Sequence, residues 1–178
     1  MHPQKRAMLI INVVGGIAVL GSYVYGISTH PNPGDALWGG VPDALRPLYS
    51  VSMLAATAGY FAFSSYLFFA VDPNTSLVGA RVGFGIVNLL YAVILGASAL
   101  WMPLTFAMLE NDSEALWSAV RAVLAITGTG SLALLSLLLM LQPRRPRLPY
   151  VLAAVGLCAF AFQTAVLDAV IWPAYFRN

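Results

Sequence analysis

The sequence predicts an all-α membrane protein: residues 1–178 as one domain, a bundle of five transmembrane helices. Three observations predict it. Of the 178 residues, 60% are hydrophobic and 9% charged, against about 25% charged in ordinary soluble domains. Five apolar segments, at about 7–29, 47–71, 80–108, 115–141 and 148–176, each reach the roughly 20 residues that a helix needs to cross hydrocarbon. None alternates apolar with polar residues, as the roughly ten-residue strands of a membrane barrel do. In lipid each backbone polar group must be paired within its own segment, so all five are expected to be helices.

Composition also excludes several functions. A net charge of +2 is too small for a nucleic-acid partner, and the basic residues lie almost wholly at segment ends. The single Cys158 rules out a disulfide within the chain and reads as an apolar filler. There is no phosphate-binding Gly-rich loop, no H-E-x-x-H and no cysteine pair; Gly128-x-Gly130 is too short to mean dinucleotide binding. His2 and His30 fall outside the spans, so no buried metal is held by histidine and no Ser/His/Asp set can be assembled. The reading leans against an enzyme. No catalytic or metal residues are assigned.

The first segment follows Lys5 and Arg6. It is longer than the usual 7–15-residue core of a secretory signal and lacks a small-residue cleavage site, so it reads as a retained helix. Asn12, Gly15, Val19, Ser22 and Gly26 share a face that predicts close helix packing. The loop from His30 to Arg46 is the longest, with Pro31, Pro33, Pro42, Gly34, Gly39, Gly40 and Trp38. Its Pro and Gly argue against a regular element. Such a loop serves either as a lid or as a headgroup anchor through Trp38. In the second span Tyr49, Met53, Ala56, Tyr60 and Phe63 share a face, suited to core packing or to a pocket wall. Asp72-Pro73-Asn74 is a turn signal.

The third span opens with Arg81 and carries Asn88, Tyr91, Leu95 and Ser98 on one face before Trp101 and Pro103. Glu110, Asp112 and Glu114 form an acidic loop, and Ser113 reads as the N-cap of the fourth span. Arg144, Arg145 and Arg147 follow that span, flanked by Pro143 and Pro146. Lys5, Arg6, Arg81 and these three arginines place the amino terminus, the second loop and the fourth loop on the cytoplasmic side. The expected orientation is therefore N-in/C-out.

Two charges fall inside spans. Arg121 lies about 9 Å into the fourth helix and Asp168 about 10 Å into the fifth, both from the same side, at 1.5 Å per residue. Charges at membrane depth are expensive and mark a partner or a function. The matched depths predict an Arg121–Asp168 ion pair, with Thr164 adding a hydrogen bond from one turn away. The pair reads as a device that fixes register or as part of a ligand or proton site, and Arg121 also has the option of snorkelling to the interface. Trp172, Pro173, Tyr175 and Arg177 follow Asp168. Val170, Tyr175 and Arg177 fit a proposed cholesterol-contact pattern that is common at membrane helix ends.

Two stretches resemble a known family. Ser98-Ala99-Leu100-Trp101-Met102-Pro103-Leu104-Thr105-Phe106 resembles the N-x-x-W-s-p-L-F-F signature of the tryptophan-rich sensory protein/translocator protein (TspO/MBR) family, and Leu167-Asp168-Ala169-Val170-Ile171-Trp172 is similar to its L-N-x-x-I-W. Leu48-Tyr49 with Met53 resembles L-Y-x-x-M-G, one position off, and Trp38 stands in the place of a P-x-W-x-P-P loop that is not intact here. Pro149-Tyr150 resembles the family's P-Y, about two turns upstream of its usual place. Ser98 and Asp168 replace the family's two helix asparagines. The resemblance implies a hydrophobic pocket beneath the first loop, a flat apolar ligand such as a tetrapyrrole or sterol, and often a homodimer.

The expectation is thus a multi-pass membrane protein that binds, and in transporting or sensing uses, a flat hydrophobic molecule. Trp38, Tyr49, Met53, Tyr60, Asn88, Tyr91, Ser98, Trp101, Asp168 and Trp172 are the candidate ligand residues. No cofactor is required, although a bound tetrapyrrole would act as one. The alternatives are an accessory subunit of a larger membrane complex, or a small proton-coupled carrier using Asp168 and Arg121.

Overall fold

Each of the five apolar segments folds as a helix long and apolar enough to cross a membrane. The computed structural model describes residues 1–74, 83–142 and 144–177. Its elements are α1 (Pro3–Thr29), α2 (Pro33–Trp38), α3 (Arg46–Phe69), α4 (Gly85–Asn111), α5 (Glu114–Met140) and α6 (Arg147–Ala161). A π-helical segment (Phe162–Ile171) and α7 (Trp172–Phe176) then continue α6 as the fifth span. No strand occurs among the described residues.

The ends follow local chemistry. His2 Nδ1 accepts from the Gln4 amide at 3.2 Å, with Pro3 opening α1, where a missing N–H costs nothing. The expected Ser113 cap forms, its hydroxyl accepting from the Leu116 amide at 3.4 Å. The expected turn after α3 also forms, with Asp72 accepting from the Asn74 amide at 2.9 Å. Two boundaries differ from expectation. The third span begins at Gly85, not near 80, and the assignment of Arg81 to its start lies outside the described residues. α4 runs on to Asn111, so Glu110 belongs to the helix and not to the acidic loop.

Successive spans run antiparallel and define two faces. The amino-terminal face holds the starts of α1, α4 and α6 and the ends of α3 and α5. The opposite face holds the first loop, the α4–α5 turn and α7. Around the bundle, α3 packs on α6, the fifth span on α5, α5 on α4, and α4 on α1. The predicted small-residue face of α1 is the one against α4: Gly15 abuts Leu95, and Gly26 abuts Met102 and Phe106. The remainder of α1 is largely uncovered.

α1 reaches α3 through side chains. Lys5 Nζ donates to the carbonyls of Leu67, at 2.7 Å, and Phe68, at the α3 carboxyl end. A cation there satisfies carbonyls that have no helical donor. The Tyr60 hydroxyl donates to Asn12 Oδ1 at 2.5 Å. Two apolar cores result. One, near the amino-terminal face, gathers Met8, Phe63, Tyr66, Phe84, Tyr91 and Leu138. The other, beneath the first loop, gathers Val41, Tyr49, Trp117, Leu167, Trp172 and Phe176.

Candidate functional site

The first loop is tied to the end of the bundle. The proline and glycine content was read as forbidding a regular element, yet Pro33–Trp38 forms the short helix α2, with Pro33 at a position that needs no N–H. Gly39 ends it at φ +51°, and a Cβ there would lie 2.6 Å from the Phe176 ring. The Gly40 amide donates to the Phe176 carbonyl at 3.3 Å. Trp172 Nε1 donates to the Leu37 carbonyl at 2.9 Å. Trp38 is half-buried, edge-on to Tyr49 at 5.6 Å, with the Arg46 guanidinium 5.7 Å from its ring. This arrangement packs Trp38 and its loop on the end of the bundle.

Below the cover lies an aromatic layer. Trp172 is 5.9 Å from Trp101, 6.0 Å from Trp117 and 4.1 Å from Phe176, centroid to centroid. Tyr23 of α1 is 6.0 Å from Trp101. Arg177 clamps the chain end here: it pairs with Asp112 at 3.0 Å and Glu114 at 2.5 Å and lies 5.0 Å over Trp117. That role accounts for Arg177 without a sterol. His30 stacks on Phe106 at 3.8 Å with Glu110 3.3 Å away.

Asp168 is half-buried on the inner side of the fifth span, within electrostatic reach of the Tyr23 and Tyr49 phenols. The expected Arg121–Asp168 ion pair does not form. Arg121 is on the exposed face of α5, and among the described residues the hydrogen bond to the Asp168 side chain comes from Gln163 Nε2 at 2.7 Å. Depth along the two helices matched, but direction around α5 did not. The free path for a long cation on that face is to snorkel outward.

Thr164 also departs from expectation. It does not reach Asp168 but meets Ser131 at 2.7 Å and bonds back to the Phe160 carbonyl at 2.9 Å. The π-helical turn explains the Gln163 contact. Residues five apart lie about 140° around an α-helix from one another, whereas the wider π-helical turn brings them nearer to one face. Gln163 and Asp168 are five apart. Gln163 carried no weight in the sequence reading; a Gln–Asp pair at that spacing inside an apolar span was the available signal.

Among the described residues, Gln163 Oε1, Trp101 Nε1 and, beside Trp38, Arg46 Nε are buried polar atoms here that lack a partner. The Tyr49 hydroxyl is engaged, donating to the Leu167 carbonyl at 3.0 Å. Trp38, Tyr49, Trp101, Asp168 and Trp172 are therefore gathered in one region, with Ser98 one turn before Trp101 on α4. Tyr60, Asn88 and Tyr91 belong to the other half of the bundle. Asn88 Nδ2 donates to Gln4 Oε1 at 2.7 Å, and Tyr91 shares a 2.7 Å hydrogen bond with Ser64. Met53 is 44% exposed on α3. No group of three metal-ligating side chains occurs among the described residues. No family model, curated protein or solved structure matches the chain.

Proposed function

We propose that this membrane protein binds a flat, largely apolar molecule with a few polar groups, held beneath the first loop between Trp101, Trp172 and Asp168. The observation that carries the reading is two unpartnered buried atoms in this half of the bundle, Trp101 Nε1 and Gln163 Oε1, the second on the amide that donates to Asp168. An unmade hydrogen bond of this kind costs about 1–3 kcal/mol. A ligand that accepts from the indole and donates to the amide or carboxylate recovers that cost. The surrounding aromatic rings suit a planar apolar body.

A tetrapyrrole, with pyrrole N–H donors and carboxylate acceptors, meets this chemistry. So does a sterol, whose hydroxyl both donates and accepts. The resemblance of the Trp101 and Trp172 stretches to the translocator family supports the same ligand class. The layer beneath the loop is filled by side chains, so entry requires the cover to lift or the rings to turn.

The test is titration of the detergent-solubilised protein with a tetrapyrrole, followed by absorbance, and with a sterol, followed by tryptophan quenching. Saturable binding of either that weakens in Asp168→Asn or Trp101→Phe supports the reading. No saturable binding by folded protein refutes it.

A second reading, an accessory subunit of a membrane complex, draws on α1, which packs on α4 and leaves most of its apolar surface uncovered. Purification as a stable heteromer would favour it.

A further inference from the structure

At the face opposite the first loop, a cavity of about 410 Å³ is lined by Gln142, Arg144, Arg145, Arg147, Tyr150 and Val151. Three guanidiniums and no carboxylate line it. Arg144 is committed to the fold: Nη2 donates to the Leu139 carbonyl at the end of α5 at 2.7 Å, and its guanidinium lies 5.6 Å from the Tyr150 ring. Arg145 and Arg147 are exposed, and neither side chain has a hydrogen bond or ion pair among the described residues. Arg147 is also the first residue of α6; Pro149 has no N–H and the Tyr150 amide donates to the Pro146 carbonyl at 3.1 Å, which leaves the Arg147 and Leu148 amides without a helical acceptor at this end. Cations left together without a counter-charge create a demand for an anion.

The position of the cavity narrows what that anion is. The next turns of α6 present Leu148, Val151, Leu152 and Val155 outward, each at least half exposed. In a bilayer those residues touch acyl chains while the arginines stand at headgroup level. An occupant that meets both surfaces has an anionic head and an apolar tail. We propose that Arg145 and Arg147, with the start of α6 and Tyr150, form a binding site for the phosphate of an anionic membrane phospholipid. Arginine suits this group because its planar fork binds two phosphate oxygens at once. The site is on the other face from the proposed ligand region and stands whether or not that region binds a tetrapyrrole or sterol.

The full-length protein in phosphatidylcholine nanodiscs doped with phosphatidic acid or phosphatidylglycerol, analysed by native mass spectrometry, tests the proposal. The wild type is expected to retain the anionic lipids over phosphatidylcholine, and Arg145→Ala/Arg147→Ala to lose roughly thirtyfold of that preference. Arg145→Lys/Arg147→Lys, which keeps charge but not the fork, is expected to fall between. Retention by the wild type should also weaken as salt rises, a readout that needs no variant. Equal retention of both lipid classes by the wild type, or an undiminished preference in the helical, monodisperse double-alanine variant, overturns the proposal. Displacement of the lipid by millimolar inorganic phosphate assigns the site to a soluble anion and overturns the lipid assignment.

Discussion

Gly59→Ala probes the point where α3 and α6 come together. A Cβ at Gly59 would lie 2.2 Å from the Gly156 carbonyl oxygen, 2.7 Å from its carbon and 2.8 Å from its Cα. All three are backbone atoms, so no side-chain rotation relieves the clash. Restoring ordinary contact at 3.4 Å requires a shift of 3.4 − 2.2 = 1.2 Å. The rings that line this interface, Phe63 with Phe160 at 5.5 Å and Tyr66 with Tyr150 at 5.8 Å, would separate with the helices. A gap of about 0.5–1 Å already forfeits a quarter to a half of each dispersion contact. The expected destabilisation is about 3 kcal/mol, the upper end for overpacking, despite the roughly 1 kcal/mol by which alanine favours helix over glycine. The control is Gly16→Ala, where nothing lies within 4 Å of the added carbon. It should be neutral or slightly stabilising. Reversible unfolding in mixed detergent micelles, followed by circular dichroism, measures both. A Gly59→Ala stability within about 0.5 kcal/mol of the Gly16→Ala control refutes the reasoning.

The same assay tests two further variants. Arg121→Gln is expected to change stability by less than about 0.5 kcal/mol, because the side chain is exposed and unpaired; a loss several times larger would reveal a buried partner. Lys5→Met keeps the apolar stem but leaves the Leu67 and Phe68 carbonyls without their donor, for an expected loss of about 1.5–3 kcal/mol. Trp172→Phe removes the hydrogen bond to Leu37 while keeping a ring in the aromatic layer. Amide exchange across Ala36–Val41 should then quicken about fivefold, the equivalent of one ordinary hydrogen bond, and unchanged exchange would show that the cover is held by other contacts.

Span number and helical form were legible in the sequence because hydrocarbon leaves the backbone few choices. The inner face of α1 was legible for a similar reason: Gly15 and Gly26 are placed where two helices must approach. The Arg121–Asp168 pairing was not legible. Depth follows from counting residues along an axis, but partnership depends on rotation about it, and nothing in the local sequence marks which face of α5 meets the fifth span. The docking of the first loop on the bundle was half legible. Trp38 and the loop length pointed to it, whereas its attachment rests on backbone groups of Leu37, Gly40 and Phe176 that any sequence would carry. Asn88 and Tyr91 show the opposite failure. Their polarity inside a span was visible, but their partners Gln4 and Ser64 lie on other elements.

The fifth span joins these threads. Its ten π-helical residues run from Phe162 to Ile171 and end just before Pro173, which has no N–H to return to the preceding turns. In this segment Thr164 meets Ser131 on α5 and Gln163 holds Asp168. An α-helix through the same residues would align Thr164 with Asp168 and turn Gln163 away. The amide then could not orient the carboxylate. π-Turns of this kind occur most often where function is placed. Here the irregular turn converts a costly intramembrane carboxylate into a positioned one, hydrogen-bonded on one side and still partly accessible.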